Sequence, residues 1–161
     1  MAETRRWLFK READHFDMDS LMKKGKPVPW KNVRNYTVRN WIRQEMKPGH
    51  KVLLYQSGAD EPAVLGVGEI AREPYPDPAQ FDPKSPYFDP RAKKEKPIWY
   101  MVDVKPLKAF RNPVKLAEMR ANPNLEGMMV LRKGNRFSMT PVEPKHWNEV
   151  LAMAGEKSPK A

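Results

Sequence analysis

The stretch "KVLLYQSGADEPAVLGVGEIARE", residues 51–73, carries the β signal from which the fold can be built outward. An apolar run over residues 51–57 is followed by the turn signal "GADEP" and by a second apolar run over residues 63–73. Short apolar runs on either side of Gly and Pro are typical of strands joined by a turn. Gly66 and Gly68, inside the second run, predict a bulge or a close approach of two backbones.

More strands are expected on both sides of this pair. "RRWLFK", residues 5–10, reads as a short buried strand, and "KPVPW", residues 26–30, as an extended segment, because Pro27 and Pro29 exclude a helix there. "PIWYMVDVKPLKAF", residues 97–110, predicts a long strand. "MMVLRKGNRFSMTPV", residues 128–142, predicts two short strands around Gly134.

Four helices are expected between and after these strands. Asp17 can cap a short helix that Gly25 ends, Pro113 can begin another, and "EPKHWNEVLAMAG", residues 143–155, predicts a closing helix. The firmest helix spans residues 33–47, where apolar side chains recur at helical spacing. These side chains are Val38, Trp41, Ile42 and Met46.

The order of these elements predicts an α+β protein with a curved or barrel-like mixed sheet and short flanking helices. We expect a single domain over residues 1–155 and a disordered tail over residues 156–161. Residues 74–97 are too rich in proline for regular structure, yet they contain Tyr75, Phe81, Tyr87 and Phe88. We interpret them as an ordered loop that its aromatic side chains hold against the domain.

Composition excludes several classes of function. The chain of 161 residues has no cysteine, which removes disulfides, thiolate metal sites and cysteine nucleophiles. Its three histidines lack the spacing of metal ligands, and no Gly-rich phosphate loop is present. We therefore expect no metal and no cofactor. No apolar run approaches the roughly 20 residues of a membrane span, so no membrane association is expected.

The charge is unevenly distributed. The formal net charge is +10, and residues 20–56 hold nine Lys or Arg against one acid, Glu45. A local basic field attracts phosphates or anionic surfaces, whereas a lysine-rich solubilising face is the plainer alternative. Much of this charge is arginine interleaved with aromatic and amide side chains, which favours nucleic acid.

The stretch "WKNVRNYTVRN", residues 30–40, combines the groups that hold a base and its phosphate. Bases stack on aromatic rings and hydrogen-bond to amides, and phosphates bind arginine. Trp30 stands between proline and a basic helix start, so we expect it to line a site, and we expect Trp41 to be core. Asn35 and Asn40 can both donate and accept hydrogen bonds.

Several motifs together resemble the EVE domain of the thymocyte nuclear protein family. They are "WLFK", "VRNYTVRN", "KPGHKVLLYQS", "AVLGVGEIAREPYPDPAQFDPKSPYFDP", "PIWYMVDV" and "LRKGNRFSMTPV", in this order over about residues 6–155. The resemblance implies a PUA-like pseudo-barrel that holds a modified base in an aromatic pocket, chiefly 5-methylcytosine or its oxidised forms in DNA. Gln56 departs from the histidine that is common in the family.

The residue pattern and the resemblance together predict two sets of site residues. The expected base pocket is formed by Trp30, Val33, Asn35, Tyr36, Tyr55, Ser57, Tyr75, Asp77, Trp99 and Ser138. The expected phosphate contacts are Lys31, Arg34, Arg39, Arg43 and Arg136. We also expect Asp77 to accept a hydrogen bond from the exocyclic amine of cytosine.

Two other functions remain open on the sequence alone. An RNA-binding module that reads a modified base would use the same aromatic and basic residues. A hydrolase of modified nucleosides would need an acid or nucleophile, for which Asp103 and Lys10 are the candidates. We expect a monomer without enzymatic activity, cytoplasmic if the source is bacterial and nuclear if it is eukaryotic.

Overall fold

The computed structural model of the protein describes residues 5–12, 17–58 and 60–156, in which seven strands and four α-helices are found. The strands are β1 (Arg6–Glu12), β2 (Val28–Trp30), β3 (Lys51–Ser57), β4 (Ala63–Ile70), β5 (Tyr75–Pro76), β6 (Tyr100–Lys115) and β7 (Met139–Val142). The helices are α1 (Met18–Lys24), α2 (Tyr36–Gln44), α3 (Leu116–Arg120) and α4 (Pro144–Met153).

The strands form one mixed sheet in the order β2-β6-β4-β3-β1-β7, and β5 pairs with β6. β1 and β3 run parallel, and the other pairs are antiparallel. The register between β4 and β6 shifts at Gly66 and again at Gly68. A Cβ on Gly66 would lie 2.3 Å from the carbonyl oxygen of Lys108, so only glycine fits this approach. Such bulges curl a sheet, and the expected α+β fold with a curved mixed sheet is confirmed.

Side chains alternate between two cores because successive residues of a strand point to opposite faces. Along β1, Trp7 and Phe9 pack in one core with residues of α1 and α2. Leu8, between them, packs in the other core, which holds residues of α3 and α4. The sheet is therefore covered on both faces, and β1 contributes to both cores.

The first two helices begin and end where their polar residues allow. Asp17 caps α1 by accepting from the backbone N–H of Asp19 (3.1 Å), and Gly25 ends the helix with φ of 59°. The second helix is shorter than the expected residues 33–47, because Asn35 is its N-cap and has an extended backbone. Trp41 is half-buried, with its ring 5.4 Å from that of Phe137.

Two expectations in the C-terminal half were wrong. Pro113 does not begin a helix: it lies in β6, whose next residue, Val114, pairs with Val64 of β4. Only the second of the two strands expected around Gly134 forms, because residues Met129–Leu131 make a 3-10 turn instead. In the first place a strand pairing between residues distant in sequence decides the structure. In the second place a local turn does so, although the local pattern also permits a strand.

The chain ends are described only in part. Glu156 was expected in the disordered tail, but its backbone N–H donates to Leu151 (2.8 Å) and its carboxylate pairs with Lys108 (2.5 Å). The rest of the expected tail, residues 157–161, lies outside the described residues. Within the described ranges, no helix is long and apolar enough to cross a membrane.

Candidate nucleic-acid interface

A cavity of about 490 Å³ opens beside the ends of β1 and β2 and the start of β7. Its lining combines an indole, a phenol, an amide, a hydroxyl and three cations. The lining residues are Lys10, Arg11, Trp30, Lys31, Asn32, Val33, Tyr87 and Ser138. Four further concavities of about 350–500 Å³ have neither tryptophan nor tyrosine in their lining, so we place the candidate site at the first.

Trp30 belongs to the core and to the cavity at once. It is 3% exposed, and its ring lies 5.9 Å from that of Phe9. The guanidinium of Arg11 lies 4.0 Å over the same ring. Trp30 was expected only to line a site, and the structure packs it in the core as well. Arg11 belongs to the β1 face that carries Trp7 and Phe9, and this face meets β2 at Trp30.

Asn32 has an unusual backbone in the wall of the cavity. Its φ of 69° makes it the one non-glycine residue with positive φ among those described. Its backbone N–H donates to Asp77 Oδ2 (2.9 Å). Its side-chain oxygen is buried and has no hydrogen-bond partner within the described part of the chain.

Asp77 is fully buried, and its carboxylate is engaged inside the protein. Besides the bond from Asn32, it accepts from the backbone N–H of Ala79 (2.8 Å) and from Arg34 Nη1 (3.3 Å). Asp77 does not line the cavity. Its position indicates that Asp77 holds the segment after β2 in place.

The proline-rich residues 74–97 are held mainly by buried polar groups. Gln80 is fully buried and makes four bonds: its oxygen accepts from the backbone N–H of Ile98 (2.9 Å) and of Trp99 (2.8 Å), and its amide donates to the carbonyls of Trp99 (2.7 Å) and Asp77 (2.8 Å). The indole N–H of Trp99 donates to Asp89 Oδ2 (2.9 Å).

Two aromatic side chains of this loop, Tyr87 and Phe88, are more than a third exposed. The expectation that aromatic residues anchor the loop was therefore wrong for this pair. Tyr87, rather than Tyr75, brings the loop to the cavity. Its backbone carbonyl accepts from Arg34 Nη2 (2.8 Å), which holds this part of the loop beside the cavity.

Two predicted phosphate contacts are engaged internally. Arg34 bonds the carbonyl of Tyr87 and lies 5.4 Å over the ring of Trp99. Arg39 donates to the carbonyl of Ile98 (2.9 Å) and to Asn40 Oδ1 (2.8 Å). Arg34 thus joins the segment before α2 to the loop, and Arg39 joins α2 to the residue that follows the loop.

The other predicted phosphate contacts are exposed. Lys31 lies in the cavity wall, and Arg43 lies 5.6 Å over the ring of Tyr100. Arg136 is exposed in the segment before β7. These three cations remain candidates for phosphate.

The structure brings together Trp30, Val33 and Ser138 of the predicted base pocket, with Lys31 of the phosphate set. Asn35 instead caps α2 by accepting from the backbone N–H of Val38 (3.0 Å). Tyr36 and Trp99 lie ring to ring at 4.8 Å, outside the cavity lining.

Three more predicted pocket residues lie elsewhere. Tyr55 is buried in the core of the opposite face, and Ser57 ends β3. The hydroxyl of Tyr75 donates to Asp103. Burial, together with this bond to a carboxylate, raises the pKa of Tyr75 to about 12. Asp103 is therefore paired, and it does not line the cavity.

Three lining residues were not among the predicted site residues: Arg11, Asn32 and Tyr87. Lys10 was considered only as a catalytic candidate. Strand alternation from Trp7 and Phe9 could have indicated Arg11. Burial lowers the pKa of both Lys10 and Arg11, because the charged forms lose hydration. An anion that enters the cavity would compensate this loss.

No group of three or more potential metal ligands occurs within residues 5–12, 17–58 and 60–156.

Comparison with known proteins places this geometry in a family. The family model described as EVE domain matches residues 5–153. Human thymocyte nuclear protein 1 is 32% identical over 170 residues, which cover 95% of this chain and 75% of the relative. The chicken protein of the same name is 35% identical over 136 residues, covering 80% of this chain and 55% of the relative. The chain thus spans just over half the length of the chicken protein.

Solved structures share the fold over nearly the whole chain. The crystal structure of human THYN1 protein in complex with DNA containing 5-methylcytosine superimposes with a TM-score of 0.85 at 31% identity, covering 96% of this chain and 99% of that one. A hypothetical protein from Leishmania major gives 0.86 at 38% identity, covering 95% and 96%. The PUA-like fold implied by the resemblance is confirmed. By its sequence from residue 5 to residue 153 and by its curled sheet, the chain belongs to the EVE domain family.

Proposed function

We propose that this EVE domain is a non-enzymatic reader that holds one modified base of a nucleic acid, 5-methylcytosine or an oxidised form of it in DNA, in the cavity beside Trp30. The observation that carries the proposal is the combination of an indole, an amide and three cations around one recess of about 490 Å³. This volume lies within the roughly 300–1,000 Å³ typical of small-molecule sites. The human THYN1 protein, similar over 96% of this chain, was crystallised with DNA that contains 5-methylcytosine.

The depth of the cavity requires a base that has left its stack. Trp30 is 3% exposed, so a base paired in a duplex cannot contact it. Proteins that bind such a base either take an unpaired base or flip the base out of the duplex. Unstacking and unpairing the base costs a few kcal/mol.

Arg11 stands where the base would enter. Its guanidinium covers the indole of Trp30 at 4.0 Å. A base can stack on a guanidinium plane as well as on an aromatic ring, or it can reach the indole when the guanidinium turns toward a phosphate. Either arrangement places the positive charge of Arg11 beside the nucleic acid backbone.

Only one of the two candidates for acid–base chemistry lines the cavity. Lys10 lines the cavity, whereas Asp103 accepts the hydroxyl of Tyr75 and lies outside the lining. A hydrolase that relied on both groups would need them at one reacting atom. The absence of Asp103 from the lining favours binding over catalysis. We also expect the domain to bind as a monomer.

The test is fluorescence anisotropy with oligonucleotides that differ at one position: 5-methylcytosine, cytosine, thymine or an abasic site. Single-stranded DNA, duplex DNA and RNA are compared. We expect the modified base to bind more tightly than the abasic site by about tenfold, as the loss of one stacked base costs about 1–3 kcal/mol. Tighter binding of RNA would transfer the proposal to the RNA alternative. Equal affinity for the base and the abasic site would refute it.

A matched pair of variants locates the base. Trp30→Phe and Trp147→Phe each shorten a buried tryptophan, one beside the cavity and one in the opposite core. We expect both to lose stability and only Trp30→Phe to lose affinity for the modified base. Equal affinity losses would show that the base does not bind beside Trp30.

A further inference from the structure

Asn32 is held in a conformation that its side chain does not favour. Its φ of 69° lies in the left-handed region, where glycine is free of strain and asparagine is tolerated. The backbone bond to the buried carboxylate of Asp77 holds it there.

The side chain adds a second unfavourable feature. Its Oδ1 is buried without a hydrogen-bond partner among the described residues, although buried carbonyl groups are nearly always paired. The side-chain amide of Asn32 bonds to none of the described side chains or backbone groups, yet the residue lines the cavity. A glycine at this position would remove both features.

Asparagine tolerates a left-handed backbone, and this tolerance explains why an asparagine can occupy the position. It does not explain why the side-chain amide has no hydrogen-bond partner among the described residues in the wall of a recess. Strained backbone and unsatisfied polar groups cluster at ligand sites, where the ligand completes the bonding. We propose that the amide of Asn32 recognises the hydrogen-bonding edge of the base held beside Trp30. This inference rests on the proposed function.

The chemistry of the amide fits a pyrimidine edge. Cytosine presents an exocyclic amine, which donates, next to a ring nitrogen that accepts. The oxygen of Asn32 can accept from the amine while its NH₂ group donates to the ring nitrogen. A partial turn about χ2 brings the buried oxygen toward the cavity without moving the backbone, so that the oxygen and the NH₂ group can both face an entering base.

Asn32→Gly separates this role from a structural one. Glycine suits the backbone and removes the unpaired oxygen, so the Tm should stay the same or rise by about 2–4 °C. The affinity for an oligonucleotide with 5-methylcytosine should fall by about tenfold, whereas that for the matching abasic oligonucleotide should not change. Unchanged affinity for 5-methylcytosine, with a retained preference over the abasic site, would overturn the role of Asn32 alone. If the unchanged protein shows no preference over the abasic site, the proposed function itself fails.

Asn32→Asp gives an independent reading, because a carboxylate keeps the acceptor and loses both donors. Its charge weakens the binding of every oligonucleotide, so the measured quantity is the ratio of the affinities for the 5-methylcytosine oligonucleotide and for the matching abasic oligonucleotide. We expect this ratio to fall by about threefold or more, because the ring nitrogen of 5-methylcytosine loses its donor and faces a carboxylate instead. A ratio unchanged from that of the unsubstituted protein would contradict hydrogen bonding by Asn32 to the base edge.

Discussion

Substitution of Asp77 by alanine tests how the cavity wall is held. In the structure the carboxylate is fully buried and accepts from the backbone N–H groups of Asn32 and Ala79 and from Arg34. Alanine leaves these donors without their acceptor in a region from which water is largely excluded. We expect a loss of stability and a disturbed segment after β2.

The magnitude follows from the number of orphaned groups. Each buried donor left without a partner costs about 1–3 kcal/mol, and breaking a buried charge pair costs about 3–5 kcal/mol. The Arg34 side chain is 21% exposed and regains some hydration, so we expect a total of about 3–5 kcal/mol. For a chain of this size, 1 kcal/mol shifts the Tm by about 2–4 °C. The Tm of Asp77→Ala should therefore fall by about 10 °C.

The assay is chemical and thermal unfolding of Asp77→Ala beside a matched control, Asp82→Ala. Asp82 precedes a proline in the same loop and accepts one backbone N–H, that of Lys84 (2.9 Å), but it is exposed. The control should lose about 1 kcal/mol or less. Equal losses in the two variants would refute the reasoning from burial.

Binding by the same variant separates two roles of Asp77. The sequence suggested that its carboxylate accepts from the amine of cytosine, which predicts a selective loss for cytosine-type bases. The buried position predicts instead a similar loss for cytosine-type and thymine-type bases, since Asn32 loses its support. Anisotropy below the lowered Tm measures the two losses, and a loss confined to cytosine-type bases would restore the first interpretation.

Three further outcomes are expected. Affinity for DNA should fall with salt at a log–log slope of roughly −3 to −4, for ~4 phosphate contacts made mainly by residues 20–56, and a flat response would remove the electrostatic argument. The bonds from Arg91 and Trp99 hold the pKa of Asp89 well below its usual range. This carboxylate therefore stabilises the fold fully above the unfolded pKa of about 3.9 and progressively less below it. The difference in the free energy of unfolding between the protein and Asp89→Asn, measured by urea unfolding, should shrink as the pH drops below about 4. Gly66→Ala should lower the free energy of unfolding by about 3 kcal/mol or more, because the added Cβ would lie 2.3 Å from a backbone oxygen of β6. A Tm within 2 °C of that of the unsubstituted protein would show that the bulge can relax.

Local patterns predicted the elements whose boundaries depend on nearby residues. The first helix is capped by Asp17 and Gly25 as expected, since capping depends on the residue types at those two positions. The third strand spans Lys51–Ser57 as expected, and the glycines of the fourth mark the predicted bulges. Where a distant partner decides, the pattern was insufficient: the pairing of Val114 with Val64 keeps Pro113 in a strand.

The candidate site shows the same division. Composition and motif located the stretch from Trp30 to Val33, and the structure places that stretch in the cavity wall. Motif membership did not show which side chains face the recess. Arg34, Arg39 and Asp77 were predicted to contact the nucleic acid, yet each of them forms hydrogen bonds inside the protein.

The sequence by itself determined the family, the alternation of strands and short helices, and a basic stretch beside an aromatic residue, because these follow from residue type and spacing. Only the tertiary structure decided that Arg11 covers the indole of Trp30 and that Tyr87 lines the cavity. It also decided that the side-chain oxygen of Asn32 has no hydrogen-bond partner among the described residues. The physical reason is that hydrogen-bond partners and burial are set by groups far apart in the chain. A side chain that is free to bind and one that is already bonded have the same letter in the sequence.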